Sequence, residues 1–167
     1  ERPNYQLDVE LRPLPPPPVN EDCERISQLE LTDGLAVVEA SLDQASSDLN
    51  TCGAGGPDVT YSFTLTERSN VTVQVGAKPA EFPVVVSLSD QCGGPEIACG
   101  FGLQERLDAG VYHLTVAGAD AVSRGLIELQ VSATPLAGEP DNETCADAIA
   151  LSGSSGAVSG DTSSASN

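Results

Sequence analysis

The chain has 167 residues, with 25 Asp and Glu against 7 Lys and Arg, and its formal charge of −18 excludes an electrostatic hold on nucleic acid or anionic lipid. No apolar run approaches the roughly 18 residues of a membrane helix: the densest, Pro83-Val84-Val85-Val86, ends at Ser87, so no membrane insertion is expected. Hydrophobic residues make up 40%, enough for a core, but aromatics are only 4% beside 16 Gly and 12 Pro, which favours short Val- and Leu-bearing strands joined by turns.

In chain order, Tyr5, Leu7, Val9 and Leu11 alternate with polar residues and read as a strand. Pro15-Pro16-Pro17-Pro18 then reads as a stiff polyproline II spacer. Strands are expected at 35–42 and through Val59, Tyr61, Phe63 and Leu65. Further strands are expected through Val71, Val73 and Val75, through Val84, Val86 and Leu88, at 102–107, through Tyr112, Leu114 and Val116, and through Ile127, Leu129 and Val131. Turn clusters such as Cys52-Gly53-Ala54-Gly55-Gly56-Pro57-Asp58 and Cys92-Gly93-Gly94-Pro95 separate them. Seven to nine short strands at this spacing, with very little helix, describe an all-β antiparallel two-sheet sandwich of jelly-roll type. Tyr61, Phe63, Leu65, Val73, Val86, Tyr112, Leu114, Val116, Ile127 and Leu129 are its expected core.

The two ends of the chain repeat one another. Asn20-Glu21-Asp22-Cys23 recurs as Asn142-Glu143-Thr144-Cys145, and Leu7, Val9, Leu11 and Pro15 correspond to Ile127, Leu129, Val131 and Pro135 at a separation of 120. Such a period describes tandem whole domains. Residues 1–14 are then the last strand of a preceding repeat, 15–19 a Pro-rich linker, 20–135 a complete repeat, 136–141 a linker and 142–167 the start of the next. The chain opens at Glu1 without an initiator Met or a leader, which reads as a processed chain or a piece of a longer one.

Five cysteines in an acidic, turn-rich sequence fit an oxidising compartment. By position, Cys23 is expected to pair with Cys52, stapling the leading segment to the sandwich, and Cys92 with Cys99 around the Gly-Gly-Pro turn. Cys145 is the counterpart of Cys23 and is expected to be unpaired within these residues. For metal, the candidates are Asp58, Asp90, Asp108 and Asp120, all at strand ends. Calcium is the ion their oxygens would suit, although no Asp-x-Asp-x-Asp-Gly loop is present. His113, the single histidine, alternates with inward Tyr112 and Leu114 and is expected on an exposed sheet face. With no Gly-x-Ser-x-Gly or His-Glu-x-x-His motif, no catalytic residue is assigned.

Asn20-x-x-Cys23, then Pro57-Asp58-Val59-Thr60-Tyr61-Ser62-Phe63, then Ala109-Gly110-Val111-Tyr112-His113-Leu114 resemble the bacterial pre-peptidase C-terminal domain and its tandem relatives in large secreted proteins. The resemblance spans almost all of residues 20–133. It implies a jelly-roll-like sandwich of about a hundred residues, appended to secreted enzymes or strung in arrays on bacterial surfaces. Gly160-Asp161-Thr162 is like the family, whereas Ala40-Ser41-Leu42 stands at that turn in the complete copy.

The expected function is therefore a non-enzymatic structural or adhesive module of an extracellular or cell-surface bacterial protein. Its partners would be neighbouring copies of the same repeat, contacted through Tyr5, Leu7, Val9, Leu11 and Cys145, in a head-to-tail surface filament. The alternative is an accessory module of a secreted hydrolase, binding an extracellular protein or polysaccharide, with or without calcium.

Overall fold

The computed structural model describes residues 6–10, 13, 16–49, 51–78, 82–136 and 138, with 148, 150, 153, 157, 159 and 160 as single positions. Among the described residues there are nine strands and no helix. They are β1 (Ser27–Gln28), β2 (Leu35–Ser41), β3 (Asp58–Leu65), β4 (Ser69–Lys78), β5 (Val84–Ser89), β6 (Glu96–Gly100), β7 (Gly102–Leu107), β8 (Gly110–Gly118) and β9 (Leu126–Pro135). One sheet has the order β1-β3-β8-β5-β6 and the other β2-β9-β4-β7. Every pairing is antiparallel except that of β1 with β3. This is the all-β sandwich that the period-2 alternation predicts.

Alternation puts Val59, Tyr61, Phe63 and Leu65 of β3 on one face, opposite Val116, Leu114 and Tyr112 of β8, and these meet Val71, Val73, Ile127, Leu129 and Val131 of the other sheet. Phe63, Val86, Leu114, Val116, Ile127 and Leu129 are wholly buried. Tyr112 differs from the rest of the expected core. It is only half-buried, because it lies at the sheet end, where its ring stacks on Phe63 at 5.7 Å and its hydroxyl donates to the Asp108 carbonyl at 3.1 Å.

Two strands were not anticipated. β1 is a polar Ser-Gln pair, and β6 is an edge strand whose residues are mostly exposed and carry no two-residue period. The recurring Asn-x-x-Cys motif also gains a structural explanation. The Thr60 N–H donates to the Asn20 carbonyl at 2.7 Å, and Asn20 Nδ2 returns a bond to the Thr60 carbonyl at 2.8 Å. Next to it, the Leu29 N–H donates to the Ser62 carbonyl and the Asp58 N–H to the Ser46 carbonyl. The outer edge of β3 is thereby capped along its length, which removes a site for edge-to-edge pairing.

The same four cysteines form disulfides as expected, but their connectivity differs. Cys23 bonds Cys92 and Cys52 bonds Cys99, with Cα separations of 5.7 and 5.6 Å. The reason is the β5–β6 hairpin. After the turn, β6 runs back along β5 and carries Cys99 opposite Ser87, away from Cys92 in the turn. Both bridges therefore end on this hairpin, and each ties down a different covering segment.

The strand expected at Tyr5–Leu11 is not formed in residues 6–10, where Leu7 and Val9 are 75% and 69% exposed. A lone segment has no ladder to satisfy its backbone. Tyr5, Leu11 and Cys145, and most of residues 142–167, lie outside the described residues.

Candidate functional site

In a sheet with one buried face, the alternate residues should face water. Here register aligns Asp58, Ala117 and Val85, then Thr60, Thr115 and Ser87, then Ser62, His113 and Ser89, on the outer face of the five-stranded sheet. Yet Asp58, Thr60, Ser87, Ser89 and Thr115 are all buried, with Asp58 fully inaccessible. The segments before β3 fold over this face. Asp58 Oδ2 accepts the backbone N–H groups of Asp48 and Leu49 at 3.0 and 3.1 Å. Glu21 Oε2 accepts the N–H of Ser46 at 3.2 Å. Glycine is required at position 56, because a Cβ there would collide with the carbonyl oxygens of Gly118 and Asp120. That close approach sets the path of the chain into Asp58.

Between this cover and the β5–β6 hairpin lies a cleft of about 370 Å³. Its floor is Ser87, Ser89 and Thr115, one wall is Asp48, Leu49 and Thr51, and the other is Gly93, Gly94 and Glu96. The walls are joined by the Cys52–Cys99 bridge and by the Cys52 N–H, which donates to Glu96 Oε1 at 2.7 Å. Three buried side-chain atoms among the described residues have no hydrogen-bond partner, and all belong to this face or its cover: Thr51 Oγ1, Asp58 Oδ1 and His113 Nδ1. Thr51 is 1% exposed and lines the cleft. His113 is half-buried, not exposed as its place in the alternation predicted, since its face is covered.

Burial pushes the Asp58 carboxyl up to about 6, against the pull of the Leu49 and Asp48 amides, with the nearby charges of Asp48 and Glu21 adding to the rise. Its folded value lies above its unfolded one, so the native state binds the proton more tightly and stability rises as pH falls from about 6 towards 3.8. Asp58→Asn keeps an oxygen for the two amides and removes the charge. The variant is expected to lose this component of the pH dependence, seen as a flatter plot of urea midpoint against pH between 4 and 6. An unchanged slope would mean that Asp58 is not the group responsible.

The four aspartates proposed for a metal are not brought together. Asp58 opens β3 and Asp120 follows β8, at one end of the sheet; Asp108 precedes β8 at the other. Asp120 Oδ1 accepts from the Val122 and Ser123 N–H groups and the Ser123 hydroxyl, an arrangement that holds its carboxyl below the usual range, the Ser123 hydroxyl contributing most. Asp108 is exposed and pairs with Arg68 at 3.4 Å, and Asp90 is exposed in the turn after β5. Burial first, and then the charges of Asp108 and Asp90, raise the Tyr112 phenol. Among the described residues, the group whose side chains converge as metal ligands would is Cys52, Glu96 and Cys99. Two of these three sulfur and oxygen donors are consumed by the disulfide.

No protein-family model and no curated protein matches the chain. Among solved structures it is similar to the pre-peptidase C-terminal domain of collagenase from Bacillus anthracis, at 17% identity over 74% of this chain and 100% of that one, with a TM-score of 0.48. It is similar also to a periplasmic inhibitor of g-type lysozyme from Aeromonas hydrophila, at 15% identity over 65% of this chain and 96% of that one, with a TM-score of 0.47. The first of these is the domain type that the sequence motifs resemble. The two disulfides mark an oxidising compartment and accord with an extracellular or cell-surface location.

Proposed function

We propose that the chain is a non-catalytic accessory module of an extracellular bacterial protein, with a structural or adhesive role. The observation that carries this reading is the double clamp. Bridges spanning 69 and 47 residues fasten the covering segments to one hairpin, which suits a unit that must stay folded outside the cell. The finer part of the proposal is that copies of the unit, repeating at about 120 residues, meet head to tail through residues 5–11 and the segment around Cys145. Its support is the alternation of apolar residues in that leading segment and the exposure of Leu7 and Val9, since an unpaired apolar strand gains a ladder by adding to a neighbour. Removing residues 1–14 and 142–167 is expected to leave a folded monomer by sedimentation velocity while abolishing any self-association of the whole chain. Undiminished association of the trimmed domain would transfer that role to the sheet faces.

A second reading, a binding module that serves a secreted hydrolase, is favoured by the cleft under the cover. Binding of protein or polysaccharide that fell away on adding a chelator would favour the calcium-dependent form of it.

A further inference from the structure

The cleft on the outer face of the five-stranded sheet combines features that a merely solvated groove lacks. Its lining offers hydroxyls and two carboxylates, Asp48 and Glu96, and carries no Lys, Arg or aromatic side chain. Thr51, almost wholly buried, presents a hydroxyl with no hydrogen-bond partner among the described residues. An unsatisfied buried hydroxyl costs stability unless something supplies its bond. Glu96 has one carboxylate oxygen committed to the Cys52 amide at 2.7 Å. The site therefore lacks hydrogen-bond donors with positive charge and is rich in acceptors.

We propose that this cleft binds an alkylammonium group, with Thr51, Glu96 and Asp48 as its acceptors. An ammonium brings three donors and one positive charge, matching a hydroxyl and two carboxylates carried on the two walls of the cleft. A bare metal ion fits less well. Calcium takes six to eight oxygens at about 2.3–2.6 Å, whereas the tight group of candidate ligands nearby, Cys52, Glu96 and Cys99, has its sulfurs in a disulfide. A sugar finds no aromatic ring among the lining residues on which to stack. The volume of about 370 Å³ admits a side-chain-sized group. The chain's formal charge of −18 would draw such cations towards it. The inference does not depend on head-to-tail assembly, since the cleft is built wholly from residues 48–115.

Nuclear magnetic resonance titration of the oxidised 167-residue chain tests this. The probes are 1,4-diaminobutane for a free amine, and N-acetyl-lysine methylamide for a lysine side chain presented by a protein. 1,4-Butanediol serves as the neutral control and calcium chloride as the competing cation. Saturable shifts are expected at the amides of Thr51, Ser89, Gly93 and Thr115 with one or both amines and not with the diol. A response to the lysine derivative assigns a protein source; a response to the diamine alone assigns a small molecule. Glu96→Gln keeps an acceptor for the Cys52 amide and is expected to weaken binding at least tenfold, and Thr51→Val to weaken it several-fold, with the remaining resonances unmoved. Equal shifts with the diol, wild-type affinity in both variants, or displacement of the amine by calcium at the same amides would overturn the proposal.

Discussion

Replacing Phe63 by alanine is expected to cost about 3–5 kcal/mol of folding stability, the range for truncating a buried aromatic ring. Phe63 is fully buried between the two sheets, and Tyr112 stacks on it at 5.7 Å, so the variant loses both the transferred surface and an aromatic contact. Phe63 shares one buried cluster with Leu114, Val73 and Leu129 of the two sheets, and such packing limits collapse into the cavity left behind. Urea unfolding under non-reducing conditions reads the loss directly. Thr64→Ala, at the exposed neighbouring position on β3, should change stability by no more than about 0.5 kcal/mol. A loss below about 1 kcal/mol for Phe63→Ala would mean that the other face of β3 points inward.

Removing the Cys52–Cys99 bridge by the double variant Cys52→Ala/Cys99→Ala is expected to cost roughly 4 kcal/mol, the chain-entropy value for a closed loop of 47 residues. The Cys23–Cys92 loop of 69 residues gives a similar figure of about 4 kcal/mol. Because the two loops interleave along the chain, losing both should cost less than the sum. The local pairing of Cys92 with Cys99 would close only a short loop, worth about 2.5 kcal/mol by the same relation. Beyond stability, the loss of the Cys52 bridge should also free the cover around Leu49 and Thr51 from the β5–β6 hairpin. Faster amide exchange at Thr60 and Thr115, beneath that cover, is the expected sign, and unchanged protection there would show that the Asp58 and Glu21 hydrogen bonds hold it alone.

Much of this architecture was legible in the alternation. Val59 to Leu65 and Val71 to Val75 have a strict two-residue period because each strand has one face in the core. The same logic misjudged the outer face of the five-stranded sheet, placing His113 in solvent. The missed signal was chemical: Ser62, Ser87, Ser89 and Thr115 are small, uncharged hydroxyl residues, in a chain whose solvent-facing positions are otherwise rich in Asp and Glu. Such a face suits a cover that packs closely on it. The cleft was beyond the sequence because Asp48 and Thr51 sit in irregular segments with no period and Glu96 opens the unanticipated β6, while a disulfide and the Cys52–Glu96 hydrogen bond join the two walls. The pairing of cysteines failed for a related reason. Sequence distance made Cys92 and Cys99 look like neighbours, while β6 pairing with β5 in register carries Cys99 beside Ser87.

The clamped cover rests on that connectivity, and peptide mapping of the whole chain without reduction tests it most directly. Cleavage after Arg25 separates Cys23 from Cys52, cleavage after Arg68 separates Cys52 from Cys92, and cleavage after Glu96 separates Cys92 from Cys99, so these four cysteines fall on distinct peptides. Linked peptides joining Cys23 to Cys92 and Cys52 to Cys99 are expected; peptides joining Cys23 to Cys52 and Cys92 to Cys99 would contradict the account.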